Sequence, residues 1–247
     1  MHHPSDQRNN HMETTIQVKS RKKTARLAGL YYLFNVLLSI YYMQYLPGKI
    51  AAWDDPQATM ENFLDNEMPF RLYILAGVAV HISFILLPLT LHKLLGHINK
   101  HYAMLMVVFA LVSVPISFTI LLDQYELISL FKDYAALDSA QQAAMDLRVL
   151  GSFESLYNGF FLCQTYWGLW LFPFGLLAFK SGFLPKFLGV ALMLGCITYV
   201  LDIIGGTLFQ NYYDFVDTNL LILPAAIGEI GMCIWLLTFG TKENIKF

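Results

Sequence analysis

Charge is what this sequence has least of. Asp, Glu, Lys and Arg make up only 14% of its 247 residues, where soluble domains carry about a quarter. Apolar residues make up 56%, and the mean hydropathy is +0.49. That balance excludes an ordinary soluble domain and points to the membrane class. The net charge is −2, so the strongly basic surface that nucleic acid demands is missing and no such partner is expected. Cysteine is scarce too. Cys163, Cys196 and Cys233 stand apart in apolar runs with no CxxC spacing, which argues against a zinc or redox motif. They read as small buried hydrophobes. HExxH and GxSxG are absent, so the motif-borne hydrolases have no foothold. No internal repeat stands out, which leaves an inverted-repeat transporter unsupported. No cofactor and no metal site is expected.

What the chain does have is long apolar runs. A bilayer core about 30 Å thick needs about 20 apolar residues in a helix. Six stretches qualify: 27–46, 72–91, 102–122, 156–179, 187–206 and 220–239. The first four hold no Asp, Glu, Lys or Arg; the fifth holds only Asp202 and the sixth only Glu229. Lipid offers the backbone no partners, so these runs must be helices. The expected fold is all-α, a polytopic bundle of six transmembrane helices. A polar tail spans 1–20, the membrane domain 21–240 and a short C-terminal tail 241–247.

Orientation follows from the basic residues. With both termini cytoplasmic, twelve of the 16 Lys and Arg fall inside, and only Lys49, Arg71, Lys132 and Arg148 fall outside. Thirteen of the 18 acidic residues fall outside. The first span follows a basic KSRKKTAR segment, but its apolar run exceeds a signal core and no A-x-A site follows, so it reads as an uncleaved anchor. The tail before it reads as mobile. In the outer loops, Asp55 is placed to cap a helix with Pro56 at its first position. Asp138 is placed to cap another that runs on toward span four.

Several segments carry a family likeness together: KKTARLAGLYYL, NEMPFRLYI, VSVPISF, the long GLWLFPFGLLAFKSGFLPKFLGVALMLGCITYVLD, and LPAAIGEIGMCIWLLTFG. The joint pattern is a basic first span with glycine, a GxLPxxLG hinge before span five, and PxxxGE in span six. From about Lys22 to Gly240 the chain resembles the bacterial integral-membrane family catalogued as domain of unknown function 4386. The resemblance implies a multi-pass protein of the bacterial cytoplasmic (inner) membrane with this span count. It implies no activity. One departure is His92, where members often carry Tyr.

Ionisable groups at membrane depth are costly and usually mark a site. Glu229 is the tenth residue of span six and His81 the tenth of span two, each counted from the outer end. At 1.5 Å per residue both lie roughly 15 Å deep, near the midplane. Gln164 and Asn35 fall at broadly similar depth. The four form the expected ligand-binding set; for Asn35 and Gln164 the plainer account is ordinary hydrogen bonding between helices. Around Glu229, Ala225, Gly228, Met232 and Cys233 fall on one side of the helix, and three of these four are small. Small residues admit neighbouring helices, so Glu229 is expected inside the protein. Toward the outer face, Arg71 and Asp202 are expected to pair as a latch, with Asp123 and Glu154 as solvated neighbours. Pro88, Pro115, Pro173 and Pro224 interrupt four spans. His92, His97 and His101 read as interfacial residues, and Trp167 and Trp170 as packing between helices.

Three functions fit. The favoured one is binding or transport of a small molecule or ion at a midplane Glu229/His81 site. The second is a membrane enzyme using the same pair as acid and base. The third is a structural or regulatory protein in which Glu229 specifies packing.

Overall fold

The structure, a computed structural model, describes residues 4–241, with side chains from Ser20 onward. Among the described residues every regular element is helical. Five stretches are long and apolar enough to cross a membrane: Glu67–Leu95, Lys100–Ala136, Ser139–Ser181, Lys186–Leu208 and Thr218–Thr238. They contain the second to fifth expected spans and all of the sixth but its last residue, Phe239. The first expected span is helical but is not among the five. Tyr31, Tyr32, Asn35, Tyr41, Tyr42 and Gln44 dilute its apolar character.

The polar tail is continuous with that first helix, α1, which spans Pro4–Ser39. A π turn follows over Ile40–Tyr45, in which the Leu46 N–H bonds the Tyr41 carbonyl. Helix α2, Leu46–Ile50, then resumes with Pro47 in its first turn. Proline has no N–H to give the preceding turn, and the wide turn sits directly before it. Helix α3, Pro56–Asp65, begins as expected: Asp55 accepts a bond from Ala58 N at 2.9 Å, with Pro56 at the first position. Helix α4 spans Glu67–Leu95 and α5 Lys100–Glu126. A short α6, Leu130–Asp133, leads to α7, Ser139–Leu169. Asp138 and Gln141 bond each other's backbone N–H at 2.9 and 3.0 Å, a reciprocal cap. The fourth expected span is thus the later part of a longer helix.

Proline acts unevenly. Pro88, Pro115 and Pro224 lie inside unbroken helices. Only Pro173 breaks one: α7 stops at Leu169, and α8 runs Leu171–Ser181. A proline ring collides with the carbonyl four residues back, and four back from Pro173 is Leu169. Helix α8 ends at Gly182, whose φ of 71° is open to glycine and strained for other residues. Leu184 N–H bonds Ser181 Oγ at 3.0 Å, and Pro185 leads into α9, Lys186–Leu208. A short α10, Tyr212–Phe215, precedes α11, Thr218–Thr238. Most of the C-terminal tail, with Lys242 and Lys246, lies outside the described residues.

The chain divides into two compact units. The first comprises Met1–Leu33, Leu86–Ala110 and Trp167–Phe247. Within it α9 packs on both α8 and α11, and glycine sets the spacing. A Cβ on Gly175 would strike the Gly189 carbonyl, and one on Gly189 would lie 2.7 Å from the Gly175 carbonyl. A Cβ on Gly195 would lie 2.7 Å from Ala225 Cα, and one on Gly228 2.8 Å from Leu192 N. Helix α1 meets α11 as closely, since a Cβ on Gly29 would lie 2.7 Å from Leu237 N. Helices that touch backbone to backbone gain dispersion contacts that lipid tails cannot match. The opposite faces stay apolar and exposed, as at Leu201 and Ile204 of α9 and Ile227 and Ile234 of α11. A bilayer would cover such faces.

The second unit comprises Phe34–Ile85 and Leu111–Tyr166. Aromatic rings fill it. Tyr42 lies 4.9 Å from Tyr73 and 5.5 Å from Phe160. Phe63 stacks on Phe131 at 4.3 Å and meets Phe70 edge-on at 4.9 Å. Gly77 makes room for Tyr42, whose Cε2 would lie 2.7 Å from an added Cβ.

Candidate functional site

Glu229 sits on α11, whose packed side is Ala225, Gly228, Met232, Cys233 and Leu236. These are the small and sulphur-bearing residues expected around it. The Tyr32 hydroxyl, on α1, donates to Glu229 Oε1 at 3.1 Å. One turn along, the Cys233 thiol donates to the Gly29 carbonyl at 3.8 Å. Glu229 therefore points at protein. Tyr32 is only 3% exposed and lies 6.2 Å from the ring of Trp170. Trp170 is buried and stacks on Phe174 at 5.5 Å, so it packs between helices as expected.

Helix α9 supplies the rest of the surroundings. Tyr199 stands within electrostatic reach of both Glu229 and Asp202. Its side chain packs on Gly168, where an added Cβ would lie 2.6 Å from Tyr199 Cβ. Asp202 follows at i+3 and is 4% exposed. Tyr32 and Tyr199 were not among the expected site residues. Their signal was available in part: Ala25, Ala28 and Tyr32 fall at i, i+3 and i+7 and are all buried, the same small-residue pattern that marks α11.

The other expected site residues belong to the second unit. His81 is buried, its Nδ1 2.5 Å from the Gly77 carbonyl. Its ring lies 5.0 Å from Phe118 and 5.9 Å from Tyr42. Asn35 donates to Ser83 Oγ at 2.9 Å and to the Val80 carbonyl at 3.1 Å, which ties α1 to α4 beside His81. Gln164 is half-buried on α7.

Arg71 also has a partner close at hand. It donates to Glu67 from Nε at 3.0 Å and from Nη2 at 2.8 Å, and it lies over the Phe131 ring. Asp202, its expected partner, lies in the first unit. The Arg71–Glu67 pair is part-exposed, so a double-mutant cycle on unfolding should give a coupling of about 0.3–0.5 kcal/mol. Asp123 accepts from the Ser152 hydroxyl, which Gln124 Nε2 also reaches at 2.6 Å. Among the described residues no three His, Cys, Asp or Glu stand together as a metal site. His97 stacks on Phe183, and the Arg21 guanidinium lies over the same ring, 5.3 Å from its centroid. Partial burial, and then the Arg21 charge, lower the His97 pKa.

Comparison with known proteins adds no chemistry. An uncharacterised protein of the archaeon Archaeoglobus fulgidus is 26% identical over 181 residues, covering 73% of this chain and 91% of that protein. No solved structure matches. Residues 27–240, from the start of the first expected span to just past α11, match the family described as "Domain of unknown function (DUF4386)". The chain belongs to that family.

Proposed function

We propose that this is a six-span protein of the cytoplasmic membrane, both termini inside, that binds and carries a cation or a small cationic molecule through Glu229. The observation that carries this reading is the Tyr32–Glu229 hydrogen bond at 3.1 Å. It supports a carboxylate turned toward protein rather than lipid. A carboxylate has about four acceptor positions, and one hydroxyl uses only one of them. The remaining capacity suits a metal cation, an ammonium group or a proton. An intramembrane carboxyl on a small-residue face is a site by default.

The test uses the full chain in sealed vesicles, with pH-sensitive and cation-sensitive dyes and a panel of alkali cations and alkylammonium ions. Saturable uptake by the parent, abolished by Glu229→Gln, supports the reading. Equal uptake by parent and variant overturns it.

A further inference from the structure

The second unit holds a cleft of about 410 Å³ lined by α3, the start of α7 and Tyr134 in the turn before α7. Small-molecule sites usually measure about 300–1,000 Å³. The cleft lies outside the six apolar runs, in the two loops expected on the outer side. Its wall is acidic: α3 contributes Glu61 and α7 contributes Asp146, and no Lys or Arg lines it. Among the described residues neither carboxylate has a Lys or Arg within ion-pair distance. Met60, only 1% exposed, and Leu64 add an apolar part to the wall.

The hydrogen bonds of this wall use up its donors and leave acceptors over. The Tyr134 hydroxyl donates to Asp146 Oδ1 at 2.8 Å. Gln57 Nε2 donates to Glu61 Oε1 at 3.1 Å, and Gln142 Nε2 to the Tyr134 carbonyl at 3.3 Å. Asp146 is 9% exposed and lines the cleft, yet its Oδ2 accepts no bond from a described residue. A carboxylate oxygen so deeply buried without a donor is costly, and a ligand that supplies one offsets that cost. Glu61 Oε2 is open in the same way. The wall therefore calls for a donor that carries positive charge. The first N–H groups of α7 alone would favour an anion, but the Asp138 carboxylate caps them, accepting from Gln141 N at 2.9 Å. Residues 51–66, which include α3, carry four Asp or Glu and no Lys or Arg, a field that draws cations. Among the described residues no three metal-ligating side chains stand together, so the donor set suits an organic ammonium better than a metal ion.

We propose that this cleft binds a small primary ammonium compound. The ammonium group donates to Asp146 Oδ2, with Glu61 as its second acceptor, and a short carbon chain lies on Met60 and Leu64. Glu229 belongs to the other unit, and binding in the cleft needs no carrier there.

The test is calorimetric titration of the full chain, in nanodiscs of zwitterionic lipid at physiological salt, with n-butylammonium. Saturable binding is expected. The neutral and anionic counterparts, n-butanol and butyrate, should each bind more weakly by about tenfold or more, the loss of a charged hydrogen bond. Asp146→Asn and Glu61→Gln keep the shape of the wall and should each weaken n-butylammonium binding by about tenfold. Glu61 is exposed, so its variant tests the cleft even if Asp146→Asn disturbs the fold. Asp65→Asn removes an exposed acid of α3 outside the cleft and should stay within about twofold of the parent, since salt screens so distant a charge. Every titration is repeated in Glu229→Gln, which strips any binding at that residue. No saturable binding overturns the cleft site. So does binding that survives both cleft variants, or an equal loss in Asp65→Asn, which would mean diffuse attraction. Cleft binding without vesicle uptake sinks the carrier and leaves the cleft; uptake through Glu229 without cleft binding sinks the cleft alone.

Discussion

Placing valine at Gly189 should cost the protein its α8–α9 pairing, the largest loss expected from any single change considered. A Cβ there would lie 2.7 Å from the Gly175 carbonyl and 2.9 Å from Phe179 N. Both are backbone atoms of the facing helix, so no rotamer change relieves the collision. Even alanine should lower unfolding free energy by about 1–3 kcal/mol, the usual cost of overpacking. Valine adds two more carbons at the same point and should exceed that range. Gly151 is the control, since nothing lies within 4 Å of its added Cβ. Gly151→Ala in the interior of α7 should gain about 0.5–1 kcal/mol from helix propensity. Denaturation in mixed detergent micelles measures all three. Parent-like stability in Gly189→Val would show that the two helices do not meet at this glycine.

The second large effect is expected at Glu229, and it separates charge from shape. Glu229→Leu removes the acceptor from a tyrosine that is 3% exposed. A buried hydroxyl left without a partner costs about 1–3 kcal/mol. Glu229→Gln keeps an acceptor oxygen at the same place and should stay within about 0.5 kcal/mol of the parent. Tyr32→Phe removes both the donor and the need for it. Its cost should be smaller, about 0.6 kcal/mol as for the average hydrogen bond between membrane helices. Thermal melting of the three variants in one detergent gives the order. If Leu proves as stable as Gln, the Tyr32 bond contributes nothing to assembly. If Gln unfolds as readily as Leu, the negative charge itself holds α1 to α11, and the packing account of Glu229 gains ground.

The parts of this structure that sequence revealed are those governed by local chemistry. Asp55 before Pro56 and Asp138 before Gln141 announce helix starts because a cap needs only three or four residues. The inward side of α11 was legible because Ala225, Gly228, Met232 and Cys233 recur at helical spacing beside Glu229. Glu229's partner was not legible. Tyr32 is 197 positions away, and no periodicity within one helix names its neighbour in space. Local information could also be passed over. Glu67 stands at i−4 from Arg71, a helical pairing distance, and the bond between them is there, but depth counting alone did not point to it. Depth ranks residues along one axis only and is silent about which helices adjoin. The effect of proline was half legible for the same reason. Four prolines each remove an N–H, but whether a helix breaks, as it does before Pro173 and does not at Pro88, depends on what surrounds the loosened turn.

The α8–α9 pair and the α1–α11 pair differ in how much chain must exist before they can form. Gly182 to Pro185 is so brief a connection that α8 and α9 can meet as soon as α9 leaves the insertion machinery, at little loop-closure cost. The Tyr32–Glu229 contact closes nearly the whole chain and has to await the last helix. During synthesis Tyr32 therefore waits for its acid until α11 has been made. The Tyr32–Glu229 bond is made last, so a ribosome stalled before α11 leaves behind the α8–α9 hairpin and a Tyr32 without its acid.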